Sequence, residues 1–241
     1  MLGIILISLR CFFIFAIFFL LSFVFLFVFL IRFRNKNNNV LFGRAFSYIS
    51  MKILRIKIEF RGKRRILRNR TAVFIANHQS FFDLIIFGAI VPKNTLIIGK
   101  KSLIWFPLFG WVFYLAGNLY LNRKNHQKAM GTMKTVDVAL QEGSSLWIFP
   151  EGTRSHGRGL KSFKKGGFYA ALQNQVPLQP LVVSTFKNAL DFSKWSPGRV
   201  VVEVLDAIPT HGHGMDDISD IMDKAYNVMK NRIAFLDKEL K

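Results

Sequence analysis

The first 31 residues are the feature that most restricts how this chain can fold. Cys11 to Ile31 contains no charged residue, and Leu2 to Leu9 is also apolar. A helix rises about 1.5 Å per residue, so about 20 apolar residues cross a hydrocarbon core of about 30 Å. A cleaved signal peptide would have a shorter apolar region that ends in small residues, whereas this one ends in Phe-Val-Phe-Leu-Ile. The sequence therefore predicts a retained membrane anchor.

A basic segment follows the anchor. Between Arg32 and Arg70 there are thirteen Lys or Arg residues and one acid, Glu59, in a chain with a formal net charge of +20. Such a segment binds either nucleic acid or anionic lipid and phosphorylated substrates. The neighbouring apolar run and the lack of a nucleic-acid-binding motif favour anionic membrane lipids and no nucleic acid. Lys63 to Arg70 could also be a solvated face that only aids solubility.

The flanking charges predict an orientation in the membrane. Arg10 lies near the start of the run, whereas Arg32, Arg34, Lys36 and Arg44 follow it. The positive-inside rule then puts the bulk of the chain on the cytoplasmic side. Residues 41–55 read as an amphipathic helix of the membrane interface, with one stripe formed by Leu41, Ala45 and Ile49. Residues 1–55 therefore form either a spanning anchor with an interfacial helix or an interfacial hairpin.

The remainder, residues 56–241, is predicted to be one α/β domain. Short β-rich runs alternate with helical patterns, which indicates a largely parallel central sheet flanked by helices. The single cysteine, Cys11, lies in the apolar run and cannot form an intramolecular disulfide. Ser102–Leu115 is very apolar but too short to span a membrane comfortably, so it is either core or a surface that contacts lipid. The predicted strands are 56–60, 72–76, 95–99, 119–122, 146–149, 178–183 and 200–205.

The sharpest local motif is Asn77-His78-Gln79-Ser80-Phe81-Phe82-Asp83, between a predicted strand and a helix. Loops at strand ends carry the reactive groups of α/β proteins. His78 can accept a proton at neutral pH, and Asp83, one helical turn further on, can bind its other ring nitrogen. Because no Ser or Cys elbow is evident, the pair could activate a substrate hydroxyl directly. Taken alone, the same pair could simply cap a helix.

A second motif, Phe149-Pro150-Glu151-Gly152-Thr153-Arg154-Ser155, also follows a predicted strand. Backbone N–H groups, the Thr153 hydroxyl and the Arg154 guanidinium could together hold a phosphate. Glu151 cannot bind phosphate and more plausibly orients the loop or pairs with a base. An ordinary turn is the alternative interpretation. His211 and His213 supply too few ligands for a metal site, so we expect neither metal nor cofactor.

Four blocks in order give the chain its resemblance to the glycerolipid acyltransferase family, and within it to the bacterial enzymes that acylate lysophosphatidic acid. They are the His78 motif, Gly117-Asn118-Leu119-Tyr120-Leu121-Asn122-Arg123, the Glu151 motif and Val176-Pro177-Leu178-Gln179-Pro180. The resemblance covers about residues 70–185. Asn122 stands where many relatives have Asp, and Gln179 interrupts a usually apolar block.

The resemblance implies a reaction and a set of roles. A fatty acyl group would pass from coenzyme A or acyl carrier protein to the sn-2 hydroxyl of 1-acyl-glycerol-3-phosphate, at the bacterial inner membrane. His78 would be the general base and Asp83 its partner. Pro177 would help to position the acyl donor. The residues that would bind or shape the acceptor site are Asn77, Arg123, Glu151, Gly152, Thr153 and Arg154. Another lysophospholipid or glycerol-3-phosphate as acceptor, or a non-catalytic protein that binds anionic lipid, remains an alternative.

Overall fold

A computed structural model of the chain describes residues 1–122 and 125–240. The helices are α1 Leu2–Ile31, α2 Asn38–Leu54, α3 Phe82–Gly88, α4 Phe109–Leu115, α5 His126–Gln141, α6 Gly166–Gln173, α7 Phe186–Ala189 and α8 Ile218–Glu239. The strands are β1 Lys57–Arg61, β2 Val73–Ala76, β3 Thr95–Lys100, β4 Leu119–Leu121, β5 Ser145–Ile148, β6 Leu178–Val183 and β7 Arg199–Val204. Short 3-10 turns occur at Lys63–Arg65, Lys101–Trp105 and Met215–Asp217.

The seven strands form one sheet in the order β1-β7-β6-β2-β5-β3-β4. Every neighbouring pair is parallel except β6 and β7, which are antiparallel. The prediction of a largely parallel sheet with flanking helices is therefore confirmed. Because successive side chains of a strand point to opposite faces, Val73 and Ile75 of β2 join one core while Phe74 and Ala76 join the other.

The two cores lie on opposite faces of the sheet. One core joins strand residues such as Phe74 and Trp147 to apolar side chains of α1, α2, α3 and α4. The other joins Val73 and Leu146 to α5, α6 and α8, with Met229 fully buried. The helices of the first layer thus include the two that precede the strands in the sequence.

Helices α1 and α2 are packed onto the domain. Phe18 of α1 is 1% exposed, and its ring lies 5.3 Å from that of Phe46 in α2 and 4.8 Å from that of Phe109 in α4. The face of α2 that packs on the domain carries Phe42 and Phe46, while Leu41 of the stripe predicted for the membrane interface is exposed. The first 55 residues therefore share a core with the strands, and a functional boundary at residue 55 stays a prediction.

Among the described residues, one helix, α1, is long and apolar enough to cross a membrane. Length and composition alone carry this statement, and the core helix of a soluble protein or a signal sequence would meet the same criteria. Only 22% of the most apolar stretch of α1 is buried, so most of its surface faces outward. The apolar run 102–115 divides similarly, with Val112 buried but Trp105 and Trp111 exposed. Both surfaces are consistent with membrane association.

Two glycines allow α2 to approach α3 closely. A Cβ added to Gly88 would lie 2.8 Å from the carbonyl oxygen of Gly43, and one added to Gly43 would lie 2.9 Å from that of Gly88.

We expect Gly88→Ala to lower the free energy of unfolding by about 1–3 kcal/mol, because the backbones must separate. Gly131→Ala in α5 is the control, since nothing lies within 4 Å of its added Cβ. It should stabilise the protein by about 0.5–1 kcal/mol. Denaturant unfolding in detergent measures both, and equal stabilities for the two variants would contradict the close approach.

Candidate active site

The two main motifs meet at one edge of the sheet. The loop 77–81 follows β2 and the loop 149–165 follows β5, and these two strands are parallel neighbours. Their carboxyl ends therefore lie at the same edge, where α/β proteins place their sites. The backbone N–H groups of Ser155 and His156 donate to the carbonyls of His78 and Gln79, at 2.8 and 3.1 Å. The two loops are thus bonded to each other as well as to their own strands.

His78 and Asp83 form a pair at this edge. Nδ1 of His78 lies 2.6 Å from Oδ2 of Asp83, whose side chain is 1% exposed, whereas that of His78 is 20% exposed. The same carboxylate oxygen accepts hydrogen bonds from the backbone N–H groups of Gln79, at 2.6 Å, and Ser80, at 2.9 Å. Because that oxygen already acts as an acceptor, Nδ1 is the donor to it, and Nε2 is the ring nitrogen left to accept a proton. Asp83 therefore binds the histidine and also the backbone of the loop that precedes α3, while the helix itself has no side-chain cap.

The ring of Phe149 fixes the plane of the imidazole. The centroids of the His78 and Phe149 rings are 4.1 Å apart and their planes differ by 16°. Phe87 of α3 packs on Phe149 in turn, with 5.9 Å between the two ring centroids. A ring stacked on one face and hydrogen-bonded at Nδ1 has little freedom to rotate. The exposed edge of His78 is thus held in one orientation.

Glu151 joins the two loops from inside. It is 2% exposed, and its two carboxylate oxygens accept the backbone N–H of His78 at 2.6 Å and that of Lys161 at 2.9 Å. Burial raises the pKa of Glu151, and the two N–H donors oppose this rise without cancelling it. A carboxylate bonded to two backbone groups positions the His78 loop, and its contact with substrate stays a prediction.

The raised pKa of Glu151 makes the stability of the protein depend on pH. The folded state binds this proton more tightly than the unfolded chain, so it holds more protons above the ordinary pKa of 4.5. The free energy of unfolding attributable to Glu151 therefore falls as pH rises through that window. We expect the wild type to lose more stability than Glu151→Gln between pH 4.5 and neutral pH, as measured by denaturant unfolding. An opposite sign of the difference would show that the N–H donors outweigh burial.

The residues after Glu151 project outward. Gly152 has φ of 70°, a left-handed turn that favours glycine, and Thr153 and Arg154 follow it as exposed residues. Lys161 Nζ donates to the carbonyl of Arg154 at 2.8 Å, which brings a second cation to this loop. Thr153, Arg154 and Lys161 therefore lie in a loop whose Glu151 and Ser155 bond the backbone of His78. Arg123, predicted to contact the acceptor, lies outside the described residues.

Asn77 and Pro177 have surroundings that their motifs did not predict. Nδ2 of Asn77 donates to the carbonyl of Val183 at 3.0 Å, and its Oδ1 accepts the N–H of Val183 at 2.8 Å. Asn77 therefore extends the pairing of β2 with β6, and its contact with substrate stays a prediction. Pro177 is buried at the other end of the sheet, where its carbonyl accepts the N–H of Val73 at 3.0 Å. It is not brought to His78, so any effect on the acyl donor would act through β6.

Two contributors to the site were not identified from the sequence. Gln79 is buried and bonds the carbonyl of Ser184 at 2.9 Å and the N–H of Phe186 at 3.0 Å, which ties the His78 loop to the end of β6. Phe149 was named only as the first residue of its motif, without the ring contacts described above. No spacing rule signals them, because their partners are distant in sequence. Within the described residues, no group of three or more His, Cys, Asp or Glu side chains could hold a metal ion.

The site combines the groups that proton transfer by a histidine requires. The described geometry supplies an oriented, partly exposed imidazole, a buried carboxylate behind it and a cationic loop beside it. This combination can deprotonate a hydroxyl that is carried by an anionic substrate.

Comparison with known proteins identifies the class. A model of the acyltransferase family matches residues 57–184. The 1-acyl-sn-glycerol-3-phosphate acyltransferase of Haemophilus influenzae is 35% identical over 233 residues, covering 96% of this chain and 97% of that protein. The Escherichia coli protein of the same name is 38% identical over 208 residues, covering 86% of this chain and 84% of that protein. The crystal structure of the 1-acyl-sn-glycerophosphate acyltransferase of Thermotoga maritima covers 95% of this chain and 97% of that chain, with a TM-score of 0.73. Its identity of 20% means that it supports the fold alone.

The chain belongs to the acyltransferase family. The family model covers more than half of it and contains both loops of the candidate site. The similarity covers nearly the whole length of this chain and of the Haemophilus influenzae protein, and most of the length of this chain and of the Escherichia coli protein. The resemblance that the four sequence blocks indicated is thus confirmed, and the enzyme is an acyltransferase.

Proposed function

We propose that this enzyme transfers a fatty acyl group from acyl-coenzyme A or acyl carrier protein to the sn-2 hydroxyl of 1-acyl-glycerol-3-phosphate, which yields phosphatidic acid. The observation that carries the proposal is the His78–Asp83 pair, bonded at 2.6 Å and joined to the cationic loop through Glu151. The names of the bacterial relatives support the choice of acceptor.

In the proposed mechanism, Nε2 of His78 accepts the proton of the acceptor hydroxyl. The oxygen attacks the thioester carbonyl, a C–O bond forms, and the C–S bond breaks. The imidazolium then gives its proton to the departing thiolate. Because the acceptor oxygen attacks the thioester directly, no acyl group is attached to the protein at any step. Asp83 stabilises the imidazolium, as the carboxylate does in hydrolytic triads. Asp83 is buried and its Oδ2 also accepts two backbone N–H bonds, so its position is fixed before substrate binds.

The acceptor's phosphate would be held by the loop after Glu151. The Thr153 hydroxyl and the Arg154 guanidinium are exposed there, and the Lys161 ammonium lies against the Arg154 carbonyl. A guanidinium offers a planar fork that matches phosphate oxygens, which an ammonium does not. We assign Arg123 to the same phosphate on the strength of its sequence block. Arg154→Ala should therefore raise KM for the acceptor more than it lowers kcat.

We further propose that α1 holds the enzyme on the cytoplasmic face of the bacterial inner membrane. Arg10 near the start of α1 and Phe18 in its middle contact the domain, and Phe29 near its end is fully buried in the same core. A helix that touches the domain along its length favours the interfacial arrangement over a perpendicular span. Its outward surface is apolar and Arg32 and Arg34 follow it, which suits an anionic lipid surface.

A panel of acceptors tests the proposal. The detergent-solubilised protein is incubated with oleoyl-coenzyme A or oleoyl-acyl carrier protein and lysophosphatidic acid, another lysophospholipid or glycerol-3-phosphate. We expect phosphatidic acid from lysophosphatidic acid and much slower transfer to the others. Product from a different acceptor alone would keep the chemistry and overturn the substrate. Absence of transfer from either donor to any acceptor would favour a non-catalytic protein that binds anionic lipid.

A further inference from the structure

A buried arginine in the apolar helix α1 ties that helix to a loop of the domain. Arg10 is 4% exposed. Its Nη1 donates to the carbonyls of Phe192 and Lys194 and its Nη2 to that of Trp195, each at 2.8 Å. No carboxylate among the described residues forms an ion pair with it. A buried charge is costly unless its donors are satisfied, so the three carbonyls account for its presence in an apolar helix.

Apart from the bonds from Arg10, the backbone hydrogen bonds of residues 191–197 close the loop on itself. The N–H of Asp191 donates to the carbonyl of Pro197 at 2.8 Å, and Leu190 bridges to Gly198 at the base of the loop. Among the hydrogen bonds that the structure describes, those that join residues 192–195 to another helix or strand all come from Arg10. Arg10 is therefore the polar fastening between this loop and α1.

The fastened loop reaches the catalytic pair through one aromatic contact. The ring of Phe192 stacks on that of Phe82, with centroids 4.8 Å apart and planes 17° apart. Phe82 is the first residue of α3 and directly precedes Asp83. On the other side, Phe15 and Phe18 of α1 lie 6.1 and 5.6 Å from the ring of Phe81. The segment between His78 and Asp83 is thus held by α1 and by the loop that α1 binds.

We propose that Arg10 is a positioning residue for acyl transfer. It fastens the loop 191–197 against Phe82 and so keeps Asp83 at the distance from which it orients the imidazole of His78. Helix α1, which we assign to the membrane surface, is by this route coupled to the geometry of the site. The activity arm of the test rests on the proposed function, whereas the exchange arm described below does not.

Kinetics of Arg10 variants are the first arm. Arg10→Ala should lower kcat by on the order of 10- to 100-fold, because small displacements of catalytic groups have large effects on rate. KM for lysophosphatidic acid should stay within about twofold, because the phosphate loop is untouched. Arg10→Lys keeps three donors without the planar fork and should fall between the two. The exposed Arg44→Ala removes an equal charge from α2 and should match the wild type. Equal kcat for Arg10→Ala and Arg44→Ala would overturn the proposal.

A covalent tether separates positioning from folding. A Cβ on Gly3 would lie 3.0 Å from the Cβ of Ser193, close to the Cβ separation of about 3.5–4.5 Å in disulfides. In a Cys11→Ser background, Gly3→Cys with Ser193→Cys can therefore replace the arginine by a disulfide. In the Arg10→Ala variant that carries these two cysteines, oxidation to the disulfide should raise kcat to the wild-type value. Reduction of the disulfide should lower kcat again. An oxidised tether that leaves kcat low would show that the loop attachment is not what Arg10 contributes.

Amide hydrogen exchange is the arm that does not depend on activity. We expect Arg10→Ala to speed exchange in residues 191–197 and in residues 78–84, while strands β5 and β6 keep their protection. If the wild type transfers no acyl group but this pattern appears, the proposed function fails and the fastening stands. If exchange in both segments is unchanged, the fastening itself is wrong.

Discussion

We expect His78→Ala to lower kcat for acyl transfer by about 100- to 10,000-fold, the range that a positioned general base contributes. Nε2 of His78 is the ring nitrogen free to accept the proton, because Nδ1 is engaged by Asp83 at 2.6 Å. Without the imidazole, the acceptor hydroxyl would lose its proton only to water. KM for lysophosphatidic acid should change little, because the cationic loop after Glu151 does not require the ring. Initial rates of phosphatidic acid formation at saturating donor measure the effect.

A matched histidine serves as the control for that experiment. His211 is exposed in a turn before α8, and His211→Ala should retain the activity of the wild type. Far-ultraviolet circular dichroism and denaturant midpoints should be alike for the two variants, because His78 is partly exposed and its loop is held by backbone bonds. A His78→Ala protein that keeps more than about a tenth of the wild-type kcat would contradict the assignment of the base.

We expect Asp83→Asn to lower kcat by on the order of 1,000-fold while the fold is kept, by analogy with the role of the carboxylate in hydrolytic triads. Oδ2 of Asp83 accepts all three hydrogen bonds, and Oδ1 has no partner among the described residues. The amide oxygen of the substituted side chain can therefore take the place of Oδ2, with its NH₂ group in the place of Oδ1. The geometry survives, but the charge that stabilises the imidazolium is lost.

Asp83→Ala separates the two contributions of this residue. It removes the acceptor for the N–H groups of Gln79 and Ser80, so it should also cost about 1–3 kcal/mol of stability, because these loop donors lose their partner. Rates and denaturant unfolding, measured on the two variants side by side, distinguish charge from geometry. An Asp83→Asn variant with near wild-type kcat would mean that orientation alone suffices and that the carboxylate charge has no part in the reaction.

The local elements could be predicted because each is encoded in its own residues. The strand 178–183 was predicted with the bounds observed, since an apolar run begins directly after Pro177. The order of the strands could not be predicted in this way. Residues that pair across β2 and β6 are more than a hundred positions apart, and β7 is antiparallel to β6 within an otherwise parallel sheet. Local patterns do not encode such contacts.

The face of α2 that packs on the domain was not predicted, because only the Leu41 stripe was assigned from the sequence, and it was assigned to the membrane interface. The stripe with Leu41 and the stripe with Phe42 and Phe46 both carry apolar residues, so helical periodicity alone did not show which stripe packs on the domain. The stripe that contains Phe42 and Phe46 is buried because Gly43 and Ser47 lie beside these rings and allow α3 to approach. Leu41 is left exposed. Small residues on a helix face, rather than large ones, were the missing signal.

The candidate site divides along the same line. His78 and Asp83 are five positions apart, so their closeness in the sequence sufficed to pair them, although His78 lies in the loop before α3. Glu151 binds the backbone of a residue 73 positions away, and the sequence indicated only a role in orienting a loop or pairing with a base. Arg10 is further still, since its acceptors lie more than 180 positions along the chain. Its buried place in an apolar helix follows from the tertiary structure alone.

Single-turnover transfer of a labelled oleoyl group tests the account most directly. Excess wild-type protein is mixed with labelled oleoyl-coenzyme A and lysophosphatidic acid, quenched in denaturant, and separated into lipid and protein. The product is then cleaved with a lipase specific for the sn-2 ester. If the acceptor hydroxyl attacks the thioester directly, we expect labelled phosphatidic acid and release of its label by that lipase. The protein should stay unlabelled at every time. Label attached to the protein before product forms would contradict direct attack assisted by His78, and label at another position or no phosphatidic acid would contradict the proposed reaction.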